Sequence, residues 1–385
     1  MPQVAIVTSF VSLLLVLCCS IEQTVEVRSD GSQSTSRTLL QNRTGWQGDY
    51  MDLTNMPDLP TWCMESELPQ QKVVNSKVFP LVLTPSSSNV QMSAEELFEK
   101  LEHDYASLYW YLVKYGSIFF RNFPLKSAAN FDEFVKRFKN WEPLPYIGGA
   151  AVRNKVHGNV YTTNESPPDA KIPFHHEMAQ TPNHPYYLFF YCQQPPTQGG
   201  ETPILSSYEV YERAKTSIPQ FIDKLQSTGV RYVRHLPDSD DHSSPIGRSW
   251  KSTFLTDDKH EAERKHLQSG GEFEWLPDNV MKTTSAILPA IRWDNRTAHF
   301  TFFNSIVAAY TGWNDSRNVA ERAVIFGDGS PILPQDIQVL VQIMNDLSVA
   351  IPWQFGDVML IDNKQVMHSR KAFTPPRDIY AALCK

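Results

Sequence analysis

The sequence predicts a mainly β protein with helices packed outside, a distorted double-sheet barrel of the jelly-roll type. Three observations point there. Beyond Val230 the chain reads as short strand-like runs separated by turns: Arg231–Val233, Ser252–Leu255, Glu272–Trp275, Ala286–Leu288 and His299–Phe303. Two further runs, Tyr187–Cys192 and Val358–Asp362, are rich in aromatic and aliphatic residues and suit a buried sheet. Finally, no strand–GxGxxG–helix unit occurs, which argues against a doubly wound nucleotide fold.

The chain has 385 residues, 41% hydrophobic and 12% aromatic, enough for a sizeable core. Its formal net charge of −7 argues against a nucleic-acid binder, which would carry a basic stripe. Val4–Cys19 is almost wholly apolar but shorter than the roughly 20 residues of a membrane span. Small residues, Cys18 and Ser20, suit cleavage after Ser20, so residues 1–20 read as a secretory signal peptide, with an uncleaved anchor as the alternative. No later stretch could span a bilayer, so no membrane span is expected after cleavage. Sequons at Asn42, Asn164, Asn295 and Asn314 agree with a secreted or lumenal glycoprotein. Cleavage would leave Cys63, Cys192 and Cys384, allowing at most one intrachain disulfide.

Residues 21–72 form a polar leader, disordered at first and then, over Tyr50–Gln71, draped on the surface. One domain is expected over residues 73–385. Within it Lys77–Leu83 reads as a strand. Ser93 and Glu96 make a capping box before a helix carrying Leu97, Leu101 and Tyr105. Ser117–Phe120 is a short buried strand. Phe131, Phe134, Val135 and Phe138 mark a second amphipathic helix. Tyr208–Arg213 and Pro219–Gln226 are helical, and so is the stretch with Ile337, Leu340, Val341 and Met344.

Ile172–Met178 carries the most telling chemistry. In a strand, alternate side chains share a face, so His175 and Glu177 would project together and His176 away. His176 then reads as a structural or supporting histidine. A His and a carboxylate from one face, joined by one distant His, make the facial triad that holds non-haem Fe(II) with positions left open. His368 lies just past the buried run Val358–Asp362 and could return beside His175. Arg377, nine positions after His368, offers a planar fork for a carboxylate. Arg370 is the nearer rival. Thr202, after a Gly pair, could add a hydroxyl to the same carboxylate. Taken singly, each of these has a bland reading: a polar strand edge, a surface arginine, a turn residue.

In series the motifs are more specific. His175-x-Glu177, Gly199-Gly200-Glu201-Thr202-Pro203, and Asp362-Asn363 followed by His368 and Arg377 together resemble the TauD/TfdA (taurine dioxygenase) family of Fe(II)/2-oxoglutarate-dependent oxygenases. The likeness is to its clavaminate synthase-like members. Tyr146–Ala150, Asn164–Pro167, Ser244–Arg248, Trp250–Phe254, Phe303–Ser305, Ala308–Trp313 and Phe326–Gly329 extend it over roughly residues 75–385. The resemblance implies a double-stranded β-helix, His175, Glu177 and His368 as iron ligands, and Thr202 and Arg377 on the distal carboxylate of 2-oxoglutarate. It implies Fe(II), 2-oxoglutarate and O2 as cofactor and co-substrates. The reaction would couple decarboxylation of 2-oxoglutarate to hydroxylation or another oxidation of a small-molecule substrate. Glu177 argues for an oxygenase, because halogenating relatives lack the carboxylate.

Two other classes compete with this enzyme. One is a secreted jelly-roll binding protein without turnover, which has no chemical need for all five site residues. The other is a metal-dependent hydrolase, for which no His-Glu-x-x-His helix is present.

Overall fold

The computed structural model describes residues 49–145, 153–163, 166–244 and 246–385. The expected signal peptide, the leader up to residue 48, the Tyr146–Ala150 motif and the sequons at Asn42 and Asn164 lie outside the described residues.

Eleven strands build the two sheets that carry the site. In chain order they are β1 (Cys63–Glu65), β2 (Leu81–Pro85), β3 (Ser117–Phe120), β4 (Lys155–His157), β5 (Val160–Thr162) and β6 (Ile172–His175). Then come β7 (Tyr187–Gln194), β8 (Ile204–Ser206), β9 (Val358–Asp362), β10 (Val366–Arg370) and β11 (Asp378–Cys384). The large sheet has the order β1–β2–β3–β9–β7–β11–β5–β4, and the small one β8–β10–β6. All neighbours are antiparallel except β2 and β3.

The two-residue period of a strand explains how the core divides. On β7, Leu188 and Phe190 point inward with Ile204 of β8 and Val366 of β10. Phe189 and Tyr191 point outward into a cluster formed with helices Ala94–Tyr115 and Ala128–Lys136. Both faces of β7 are therefore dry, which is why its sequence is a continuous apolar run rather than an alternation. On the small sheet the outward residues are Phe174, Leu205 and Met367. They pack on helices Ser207–Ser217, Pro219–Thr228, Ile306–Gly312 and Pro334–Leu347. With Phe174 and Met367 facing out, the neighbours His175 and His368 face the space between the sheets.

A four-stranded sheet, ordered Glu272–Leu276, Val280–Thr284, Val230–Leu236, Val324–Phe326, stands beside this sandwich. The architecture is the expected mixture of short strands and outer helices, with local departures. Ser252–Leu255 is not a strand. Trp250–Phe254 is a short helix, because the Ser249 hydroxyl caps the Ser252 amide at 3.1 Å. Ala286–Leu288 contributes only an isolated bridge, between Leu288 and Val230. Pro80 splits the run Lys77–Leu83 into Lys77–Phe79 and β2; proline has no N–H for the ladder. Tyr50–Gln71 does more than drape the surface. Trp62 is buried against Phe123 and β1 pairs with β2. Cys63, Cys192 and Cys384 are buried thiols without a disulfide.

Beneath the β9–β10 turn lies a buried ion group. Arg296 contacts Asp362 at 2.7 Å and Asp294 at 2.6 Å, and none of the three is more than 2% exposed. Burying three charges is tolerable only while each is matched. Arg296→Ala would strand two carboxylates, so denaturant unfolding should show a loss of about 3–5 kcal/mol. A loss under about 1 kcal/mol would mean that water reaches the group.

Candidate metal centre

β6 ends at His175, and Glu177 sits in the turn that follows. The expected convergence of the two side chains is therefore achieved by a turn, not by two more residues of strand. Met178 in that turn has φ 57°, a left-handed conformation uncommon for a residue with a Cβ. His368 pairs directly with His175 in the β10–β6 ladder, and a register shift follows before Arg370. The two imidazole rings lie 4.3 Å apart between centroids. One donor atom from each of His175, Glu177 and His368 falls within 4.8 Å of the others. Among the described residues this is the one such group of three or more His, Cys, Asp or Glu.

The protonation states suit a cation. His175 Nδ1 lies 2.9 Å from the Pro173 carbonyl. A carbonyl can only accept, so Nδ1 carries the proton and Nε2 keeps its lone pair. Burial, and then the adjacent His368, pull the His175 imidazole down to about 4, which leaves it neutral at pH 7. Burial pushes the Glu177 carboxyl up, but Arg153, His368 and His175 outweigh it and hold it well below the usual range. Glu177 Oε2 receives Arg153 Nη2 at 2.9 Å and stands 3.4 Å from His368 Nε2. Two imidazole nitrogens and one ionised oxygen, with no fourth ligand grouped with them among the described residues, fit a divalent metal that must keep coordination positions open.

His176 points away, as the alternation predicts. It is fully buried, packs on Phe303 at 4.6 Å, and its Nδ1 meets the Asn363 carbonyl at 2.6 Å. Asn363 also holds Glu177: Oδ1 accepts the Glu177 amide at 2.9 Å, and Nδ2 donates to the Glu177 carbonyl at 3.1 Å and the Pro185 carbonyl at 2.8 Å.

Thr202 and Arg377 reach the same cavity, of about 290 Å³, as His175, Glu177 and His368. Arg377 donates from Nε to the Gly200 carbonyl at 2.8 Å and from Nη2 to Thr202 Oγ1 at 3.4 Å. The Gly199–Gly200 pair permits this approach. A Cβ on Gly200, which has φ 69°, would meet Arg377 Cδ at 3.0 Å and Phe373 Cβ at 2.9 Å. Burial and the Arg370 cation lower the Arg377 guanidinium to about 9; it remains a cation at neutral pH. The rival Arg370 is tied to the Ser166, Pro167 and Ala170 carbonyls at 3.0, 2.7 and 2.6 Å. Those bonds hold the chain entering β6 and make Arg370 a structural neighbour of the cavity. The opposite wall is small and apolar, built by Ala308, Thr311 and Gly312 of the Ile306–Gly312 helix with Ile246 and Trp313.

Arg153 escaped the sequence reading. It sits in Arg153-Asn154-Lys155, a polar run with no periodic signal, and only the fold shows it against a buried carboxylate.

A clavaminate synthase-like protein of Arabidopsis thaliana is 48% identical over 328 residues, covering 84% of this chain and 98% of that protein. A dapdiamide synthesis protein of Enterobacter agglomerans is 28% identical over 283 residues, covering 71% and 83%. The crystal structure of a taurine dioxygenase from Burkholderia xenovorans aligns at 17% identity and a TM-score of 0.43, covering 79% of this chain and 85% of that one. Residues 79–383 match the taurine catabolism dioxygenase TauD, TfdA family, and the chain belongs to that family and, with it, to the 2-oxoglutarate-dependent oxygenases.

Proposed function

We propose that this protein couples the oxidative decarboxylation of 2-oxoglutarate to hydroxylation, or a related C–H oxidation, of a small molecule. The observation that carries the reading is the convergence of His175, Glu177, His368, Thr202 and Arg377 on one cavity. His175, Glu177 and His368 would hold Fe(II). Bound there, the metal would supply the redox chemistry by which 2-oxoglutarate and O2 give succinate and CO2 and one oxygen atom goes to the second substrate.

The chain's own part is binding, orientation and charge. The His175 imidazole enters as a neutral donor, because burial keeps it unprotonated. Glu177 brings one negative charge, and Arg153 on Oε2 limits its freedom to rotate. Arg377 and Thr202 would receive the distal carboxylate. A half-buried guanidinium whose protein partners are a carbonyl and a hydroxyl gains from an anion, and a charge-assisted pair there contributes about 1.5–3 kcal/mol per hydrogen bond. The small wall of Ala308, Thr311 and Gly312 leaves room for a substrate beside the metal.

We further propose entry to the secretory route. The basis is the apolar run Val4–Cys19 with its small-residue cut site; two of its sequons, Asn295 and Asn314, are exposed. Protein from a eukaryotic host should begin at Ile21 on N-terminal sequencing. An intact Met1 on the folded protein would reject cleavage.

Two experiments test the catalytic reading. Purified protein given Fe(II), 2-oxoglutarate and O2 should release succinate, stop when a chelator removes the metal, and resume when Fe(II) is restored. His368→Ala should abolish release. Undiminished turnover in that variant would refute the ligand assignment. Arg377→Ala should raise KM for 2-oxoglutarate by roughly 10- to 100-fold, the loss of one or two charged hydrogen bonds, with a smaller change in kcat. Arg370→Ala should instead lower thermal stability. If Arg370→Ala raises KM more than Arg377→Ala does, the two roles are exchanged.

A further inference from the structure

We propose that Asn363 is a positioning residue for the metal centre. Its side-chain amide acts as a surrogate strand for the turn that carries Glu177. The β6 ladder stops at His175, so among the described residues the Glu177 backbone has no strand neighbour. Its N–H and its C=O instead both pair with the Asn363 side chain, at 2.9 and 3.1 Å. Those are the two bonds that an opposed residue would exchange with it in an antiparallel bridge. The remaining Nδ2 hydrogen goes to the Pro185 carbonyl at 2.8 Å. The Asn363 backbone is equally committed: its N–H donates to the Tyr186 carbonyl at 2.8 Å and its C=O accepts from His176 Nδ1 at 2.6 Å.

The side chain is fully buried, so no water replaces these bonds. Asparagine alone offers one acceptor and two donors on so short an arm. Aspartate keeps the acceptor for the Glu177 amide, but it sets a second oxygen against two carbonyls. Alanine leaves the turn unheld. Asn363 also lies five positions before His368, on the β9–β10 turn, so it measures one ligand segment against the other.

The inference rests on the metal-centre reading above, and the test separates the two. Mn(II) is titrated into wild type, Asn363→Ala and Asn363→Asp by electron paramagnetic resonance, well below each melting temperature. Asn318→Ala is the control. Asn318 is a buried asparagine that bridges the His235 amide at 2.8 Å and Asp315 Oδ1 at 3.0 Å, away from the metal ligands. Asn363→Ala should weaken Mn(II) binding by roughly 10- to 100-fold, the range for residues that orient metal ligands, and Asn363→Asp by less. Asn318→Ala should lower the melting temperature and leave the affinity near wild type. If Asn363→Ala does not fold, Asn363→Asp carries the readout, and a wild-type affinity in it overturns the proposal. So does an equal loss in Asn318→Ala. A wild type that binds no Mn(II) would instead reject the metal-centre reading itself.

Discussion

The Glu177 backbone and the Asn363 side chain exchange two hydrogen bonds across 186 positions of sequence. The candidate ligands come from two segments that far apart, so closing that loop and fixing the ends carries a large entropic cost. The fold meets it in layers. The β6–β10 ladder pairs His175 with His368. The Asn363 amide extends the match to Glu177 beyond the end of the ladder. Under the same turn, Arg296 and Asp294 fix Asp362, whose Oδ1 accepts the Lys364 amide at 2.9 Å. Glu177 is thus held by an amide whose own bonds are filled, which is what a site needs to keep its geometry.

Charge is distributed along the cavity with equal economy. At one end two imidazoles and one carboxylate suit a dication. At the other, Arg377 with Thr202 suits a carboxylate. A diacid bearing a 2-oxo group is complementary to both ends at once. Arg153 sits at the metal end and keeps Glu177 ionised in a dry setting, where burial alone would favour the neutral acid.

Much of this was legible in the sequence, and the reason differs by residue. The Ser93–Glu96 capping box is local chemistry, and it stands as read. β3, β7 and β9 are buried on both faces, so their composition alone marks them. His175 was separable from His176 by period-two alternation, even though the strand stops one residue short of the second ligand's neighbour. What stayed hidden depends on distant contacts. Arg153 has no local signature. Arg377 and Arg370 are equivalent by composition, and only the carbonyls around Arg370 divide their roles. Trp250–Phe254 contains β-favouring Thr and Phe, yet the cap at Ser249 decides for helix. Val280–Thr284 owes its place to pairing on both sides.

The central claim is that metal and 2-oxo acid share one site built by five side chains. Calorimetric titration of 2-oxoglutarate into the protein, with and without one equivalent of Mn(II), tests it most directly. The account predicts one equivalent bound, at least roughly tenfold more tightly with metal than without, because the metal and Arg377 hold opposite ends of one molecule. Equal affinity in the presence and absence of metal would contradict it.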